Sequence, residues 1–369
     1  MSAIRHPRPT LDFTIGTRSA LKPVPAGRCL RKRGSLIRRL FAAVLLASAV
    51  QTPASAETPA TKLTVNVFPG GFNWPLFVAR DKGFFAARGL EIEVQPTTGS
   101  IAQMSGLATG KFDIAMTAID NIVAYVEGQG DASVGKQSDF VAVMGSDSGF
   151  LSVVSAPAIP TFEKLRGQTL SVDARSTGYA FVFFDMLARE GLKATDYTIV
   201  PVGGMTQRWT AMKQGQQVAT ILSTPYDILA KAEGFHQLGW ATHTIGPYQG
   251  NVAATKRPWA EAHRPQLVAY IRAYAAAIDW LYEPKNHDEA IKILRANLPS
   301  MSEQLAQQTY GELLDPKDGF FRQAKVDAEG VRTVLRLRSQ YLPGSPQLSD
   351  ASRYYDASFW SDAMTPSVK

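Results

Sequence analysis

The chain has 369 residues and one cysteine, Cys29, which lies close to its start. Everything after Cys29 must fold without a disulfide, and it offers neither a thiolate nucleophile nor a cysteine-based metal site. Histidine is sparse too. Only His236, His243, His263 and His287 follow Cys29, and none has the HExxH or other local spacing that places metal ligands side by side. Long apolar runs are also missing. The uncharged stretch Leu40 to Val50, LFAAVLLASAV, has eleven residues, too few to cross a bilayer as a helix. There is no low-complexity tract and no fixed-period repeat, so fibrous and solenoid architectures are excluded.

The formal charge of +7 suggests nucleic acid or anionic membrane as a partner until the N-terminus is considered separately. Residues 1–39 hold ten Lys or Arg and one acid, Asp12. The apolar Leu40–Val50 run follows, then Ala54-Ser55-Ala56, which fits the small-x-small cleavage pattern of a secretory signal. Arg38-Arg39-Leu40-Phe41 is similar to a twin-arginine core, with Ile37 where Ser or Thr is usual. Residues 1–56 are therefore expected to be a cleaved export signal. Without them 29 basic and 31 acidic residues remain, a net charge of −2. The remainder carries no basic excess, no nucleic-acid partner is expected, and Cys29 leaves with the signal. A soluble periplasmic protein without disulfide or lipid anchor is predicted, and it is expected to be a monomer.

Strand and helix signals alternate from Leu63 to about Asp227. Val65 and Val67 open a first strand that Phe68-Pro69-Gly70-Gly71 breaks. Asn73 can cap the following helix, with Pro75 in its first turn. Glu91–Val94 is a second strand, Thr97-Thr98-Gly99-Ser100 leads into a helix ending at Gly110, and Ile114-Ala115-Met116 is a third strand with Asp120 as the next cap. Phe140 to Val154 reads as one long strand crossing to a second αβ set. That set comprises Thr169–Val172, a helix over Thr177–Glu190, Thr198–Val202, a helix around Trp209, and Thr220–Leu222. A return crossing is expected over Gly246–Ala254. Leu267, Tyr270, Ile271, Tyr274, Ala275, Ile278 and Leu281 follow the i, i+3, i+4, i+7 pattern of an amphipathic helix. Asn286 with Glu289 and Ser300 with Glu303 look like capping pairs in a helical tail that packs on the first domain.

Two enzyme signals fail on their details. Gly130-Asp131-Ala132-Ser133-Val134-Gly135-Lys136-Gln137 approaches a P-loop, but Gln137 stands where Ser or Thr would hold magnesium, and a helix precedes it instead of a strand. Gly145-Ser146-Asp147-Ser148-Gly149 has the outline of a nucleophile elbow with Asp at its centre.

The turn after the first strand, then LFVARDKGFFAARGLEIEV and GKFDIAMTA, resembles the type II periplasmic solute-binding proteins of ABC transporters. The similarity is strongest to the group that binds nitrate, sulfonates, taurine and thiamine-pyrimidine precursors. Leu165-Arg166-Gly167-Gln168-Thr169-Leu170 and Ser176-Thr177-Gly178 extend the resemblance more weakly. It implies an α/β protein of two lobes, each a mostly parallel sheet flanked by helices, with two hinge crossings near Gly145–Gly149 and Gly246–Gly250. Residues 57–147 and 249–369 would form lobe one, and 148–248 lobe two. The lobes would close on a small solute and deliver it to a permease in the inner membrane, with no cofactor. Two alternatives are a sensor that presents its ligand to a signalling receptor, and an enzyme similar to thiamine-pyrimidine synthases. The latter use a cysteine-rich motif and pyridoxal phosphate, and the absence of cysteine after residue 29 counts against them.

In open α/β sheets ligands sit beyond the carboxyl ends of the strands. The candidates there in lobe one are Phe72, Asn73, Trp74, Thr98, Ser100, Thr117, Asp120 and Asn121. In lobe two they are Ser176, Thr177, Gly178, Thr224, Tyr226 and Asp227, and Ser148 and Tyr248 lie near the crossings. Asn73, Thr98, Ser100 and Asp120 are equally readable as helix caps, and Phe72 and Trp74 as core aromatics. An unpaired Asp120 or Asp227 facing the cleft would require donors or positive charge on the ligand, whereas Arg175 would favour a sulfonate or carboxylate. The expected ligand is a small organic solute, a sulfonate, a carboxylate or a pyrimidine-like heterocycle, and a cyclic one is favoured over an inorganic ion.

Overall fold

Two five-stranded sheets organise the chain. The computed structural model describes residues 60–131 and 138–366. The export-signal reading, Cys29 and most of the near-P-loop stretch lie outside these residues. The elements in lobe one are β1 (Thr61–Val67), α1 (Trp74–Asp81), β2 (Leu90–Pro96), α2 (Ser100–Thr109), β3 (Ile114–Ala118), α3 (Ile119–Val126) and β4 (Phe140–Gly145). Lobe two follows with β5 (Leu151–Ser155), β6 (Thr169–Val172), α4 (Gly178–Arg189), β7 (Thr198–Pro201), α5 (Met205–Lys213), β8 (Ala219–Ser223), α6 (Tyr226–Ala232), β9 (His236–Trp240) and α7 (Ala241–Ile245). The chain then returns through β10 (Asn251–Lys256) to α8 (Arg257–Ala262), α9 (Arg264–Leu281), α10 (His287–Asn297), α11 (Glu303–Leu313), α12 (Ala328–Tyr341) and α13 (Ala357–Met364).

The sheet orders are β2-β1-β3-β10-β4 and β7-β6-β8-β5-β9. In each, four strands point one way and the fourth in order is reversed, β10 in the first and β5 in the second. The reversed strand is in both cases the one that has just crossed from the other lobe. It is buried and paired on both edges, so each crossing is anchored in the middle of the sheet it enters. Strands covered on both faces read as continuous apolar runs, and the buried β3 and β4 fit that pattern.

The Phe140–Val154 run is not one strand. It divides into β4 and β5, which belong to different sheets. The Asp147 side chain accepts the Gly149 backbone N–H at 2.7 Å, and Gly149 and Phe150 take positive φ of 87° and 49°, so the extended path ends there. The two crossings then lie against each other: the Gly250 N–H donates to Asp147 O at 2.8 Å, and Asn251 Nδ2 donates to Asp147 Oδ1 at 2.9 Å. A Cβ on Gly250 would stand 2.1 Å from Gly149 N, so a side chain there would part the crossings.

The apolar stripe predicted on the long tail helix is buried at all seven positions in α9, which packs on α1 and α13. Asp120 lies inside the first turn of α3, after the N-cap residue Ala118, and two expected caps in the tail differ as well. Ser302, not Ser300, precedes α11, and its Oγ accepts from the Leu305 N–H at 3.1 Å. Asn286 precedes α10, but its amide donates to Trp280 O at 2.8 Å and leaves the helix start uncapped by a side chain. The tail also does more than cover lobe one. Helix α12 lies on α3 and reaches α4 of lobe two, and α11 reaches α6. No helix among the described residues is long and apolar enough to cross a membrane.

Candidate functional site

The cavity between the lobes is built at strand ends, where three helices start without a side-chain cap. Helix α3 begins after Ala118, α5 after Gly204, and α4 after Thr177, whose hydroxyl donates to Ala174 O at 3.0 Å instead of capping. Uncapped helix starts present unpaired N–H groups and the positive end of the helix dipole. The cavity, with an internal volume of about 40 Å³, takes Phe68, Phe72, Ala118, Asn121 and Asn251 from lobe one. Lobe two supplies Asp173, Thr177, Gly178, Tyr179, Gly204, Met205, Arg208 and Ser223.

Arg208, in the first turns of α5, is the charged group buried in this wall, with 2 % of its surface exposed. Its Nη1 donates to Ile221 O at 2.6 Å and to Thr220 Oγ1 at 3.3 Å, both neutral acceptors on β8. Its Nε has no partner. Burial lowers the guanidinium to about 10, against the pull of Asp173, so it stays protonated at neutral pH. Asp173, just past β6 and half-buried, accepts a long bond of 3.4 Å from the Ser100 N–H of lobe one. The Tyr179 hydroxyl is buried without a partner, although part of the ring stays exposed. Burial, and secondarily Asp147, raise this phenol well above its ordinary value. Three side chains with unused polar capacity or open charge, those of Arg208, Asp173 and Tyr179, therefore meet one space with the uncapped start of α4.

Of the residues expected at the site, Phe72, Asn121, Thr177 and Gly178 line this cavity. Five others hold the lobes together or bracket the mouth. The Gly204 N–H donates to Thr98 O at 3.3 Å, and Ser100 meets Asp173. Ser176 O accepts from Arg338 Nη2 at 2.7 Å, and Thr224 Oγ1 donates to Glu312 Oε2 at 3.0 Å, both from the tail. Tyr248 stacks obliquely on Tyr179 at 6.3 Å. The rest serve the scaffold. Asn73 stands at the N-cap position of α1, but its side chain pins the first turn by donating to Phe68 O at 2.6 Å and to Gly70 O at 3.2 Å and makes no capping bond. Trp74 is buried, with its indole N–H on Ala290 O at 3.1 Å. Thr117 accepts from Asn121 at 2.8 Å, Ser148 lies within the first crossing, and Tyr226 meets Thr206 at 2.6 Å.

Neither expected carboxylate faces the cavity, and neither does Arg175. Asp120 forms a two-point pair with Arg338, through Nε at 2.8 Å and Nη2 at 2.5 Å, with both side chains at most 1 % exposed. Arg175 is exposed and donates to Ile199 O. Asp227 is buried between strands, accepting from Ser152 at 3.3 Å and Gln237 at 3.2 Å. The charged side chains that line the cavity are Arg208 and Asp173. The rule that points to strand ends would have found Asp173, just past β6, whereas Arg208, a single Arg within α5, gives no signal of burial.

Burial pushes the Asp227 carboxyl up to about 7, and Glu312 across the lobe contact adds to the rise. Its folded-state value lies above the ordinary 3.8, so between these limits the folded protein holds a proton that the unfolded chain has lost. This site therefore favours folding at the acid end, and that advantage is lost as pH rises through about 7. Asp227→Asn removes the effect. In melting curves from pH 5 to pH 8, the variant should gain on the wild-type protein as pH rises; a difference independent of pH would contradict this account.

The model of the NMT1-like family matches residues 56–295. YtlA of Bacillus subtilis (strain 168) is 28% identical over 142 residues, which are 38% of this chain and 40% of YtlA, so the match spans less than half of that protein. The periplasmic nitrate-binding protein NrtA of Synechocystis PCC 6803 superposes with a TM-score of 0.69 at 14% identity, over 82% of this chain and 88% of its own. The periplasmic aliphatic sulphonate binding protein SsuA of Escherichia coli superposes at 0.62 and 18% identity, over 81% and 93%. An enzyme has the fold as well: the desulfurization enzyme DSZB superposes at 0.55 and 14% identity, over 82% and 99%. The structural likenesses establish the periplasmic-binding-protein fold, and with a family model that covers well over half of its length, the chain belongs to the NMT1-like family.

Proposed function

We propose that the chain is the periplasmic substrate-binding component of an ABC importer, which captures a small organic solute between its lobes and hands it to a permease in the inner membrane. The observation that carries this reading is the cavity itself, walled by both lobes and holding buried polar groups with unused bonding capacity. A solute that touches both walls stabilises the closed arrangement over the open one. The moving bodies are residues 57–147 with 249–369, and residues 148–248. The hinges are the crossings Gly145–Gly149 and Gly246–Gly250.

The fold of DSZB favours an enzyme as the second reading. Against it, the wall contains no histidine, cysteine or lysine, and its hydroxyls on Thr177 and Ser223 already donate to backbone carbonyls, of Ala174 and Gly149. Neither of these two hydroxyls is thereby paired with a base. Small-angle scattering tests capture by closure. Saturation with a bound solute should reduce the radius of gyration, and the solute should be recovered chemically unchanged. An unchanged radius, or turnover of the solute, would reject the proposal.

A further inference from the structure

We propose that the solute is an amphoteric carboxylic acid, with its carboxylate on Arg208 and an N–H or O–H donor at its other end facing Asp173. The proposal rests on the reading of this cavity as a solute site. A guanidinium that is 98 % buried and bonded only to neutral acceptors calls for an anion, because a buried cation is costly until it is paired. Nη1 is held by Ile221 O and Thr220, while Nε has no partner. The edge that carries Nε is the side-on face of the fork, whose coplanar donors match the two oxygens of a carboxylate. The uncapped starts of α4 and α5 add positive potential in the same wall. Asp120, which would oppose an anion, is neutralised by Arg338.

Asp173 sets the other end. It faces the cavity with only a long bond from the Ser100 N–H, and it would repel a simple anion unless a donor met it. Phe68, Phe72 and Met205 line the space as well, which suits an apolar body between the two polar ends.

Calorimetric titration of the purified protein with matched probes tests this. The pairs 4-aminobenzoate with sulfanilate, and β-alanine with taurine, differ only in carboxylate against sulfonate. Benzoate lacks the donor, and cytosine is a neutral heterocycle. The expected result is that a carboxylate binds more tightly than its sulfonate partner, and that 4-aminobenzoate binds more tightly than benzoate. Arg208→Gln should weaken the best carboxylate by about 100-fold, as expected for loss of one partner of a buried charge pair. Arg208→Lys, which keeps the charge without the fork, should weaken it less and should erase the preference for carboxylate over sulfonate. Asp173→Asn should narrow the gap between 4-aminobenzoate and benzoate. Melting curves of each variant show that it is folded. A preference for sulfonates, binding of cytosine alone, binding unaffected by Arg208→Gln, or no binding by any carboxylate overturns the proposal. Cytosine binding with a reduced radius of gyration would overturn it and leave capture by closure standing, whereas turnover of a probe would reject capture itself.

Discussion

Replacing Arg338 by methionine should lower the melting temperature by roughly 10 °C, the scale expected when a buried ion pair loses one partner in a domain of this size. Arg338 and Asp120 are 0 % and 1 % exposed, so water cannot take over from either. Both carboxylate oxygens of Asp120 are bound by the one guanidinium. The same group donates to Ser176 O of lobe two and to Gln129 Oε1 at 3.2 Å, and it stands 5.1 Å from the centre of the Phe181 ring on α4. Methionine would fill much of the volume and leave Asp120 as an unpaired buried charge. The start of α3 would offset part of that cost, because Asp120 sits in its first turn, where the dipole favours an anion. If the cost lies in the stranded charge, Asp120→Asn combined with Arg338→Met should recover most of the loss, and a double-mutant cycle would show strong coupling. Additive losses, or an unchanged melting temperature for the single variant, would mean that the pair has little energetic role.

This pair also shows where the sequence stops being informative. Asp120 was readable as a helix cap or a ligand contact because its neighbours suit both. The group that decides the matter lies 218 residues away on α12, and nothing local announces it. The strands were legible for the opposite reason: β3 and β8 are short, mostly apolar runs and β1 and β6 carry apolar residues at every second position, so all four could be placed from their own residues. The same rule misread Phe140–Val154, since an apolar run does not reveal a turn made by one side chain, that of Asp147, on the backbone N–H of Gly149. The site fell between these cases. Strand-end logic reached Phe72, Asn121, Thr177 and Gly178, but the charge balance of the cavity rests on Arg208 and Asp173, whose burial is decided by tertiary packing.

Gly178→Ala should weaken capture of solute by roughly 10- to 100-fold while leaving the solute-free protein about as stable as before. Gly178 is the first residue of α4, and its backbone lies in a region open to any residue, so alanine suits the helix at least as well as glycine. Its surroundings across the cleft are different. A Cβ there would stand 2.3 Å from Asp120 Cβ and 2.6 Å from its Cγ, both on lobe one, and 2.9 Å from the Tyr248 hydroxyl near the second crossing. Asp120 cannot swing away, because its Cβ is fixed by the backbone of α3 and its carboxylate by Arg338. The clash with Asp120 therefore exists only when the two lobes meet, and opening of the cleft relieves it, leaving only the approach to the Tyr248 hydroxyl within lobe two. Overpacking of this kind costs about 1–3 kcal/mol, which corresponds to a loss of roughly 10- to 100-fold in affinity if closure is required for binding. Titration should show that loss, and scattering of the variant with solute should keep the larger radius of the solute-free state. If the variant binds as tightly as the wild-type protein and still contracts, then the contact of α4 with α3 is not what closure brings about, and the lobes must meet elsewhere.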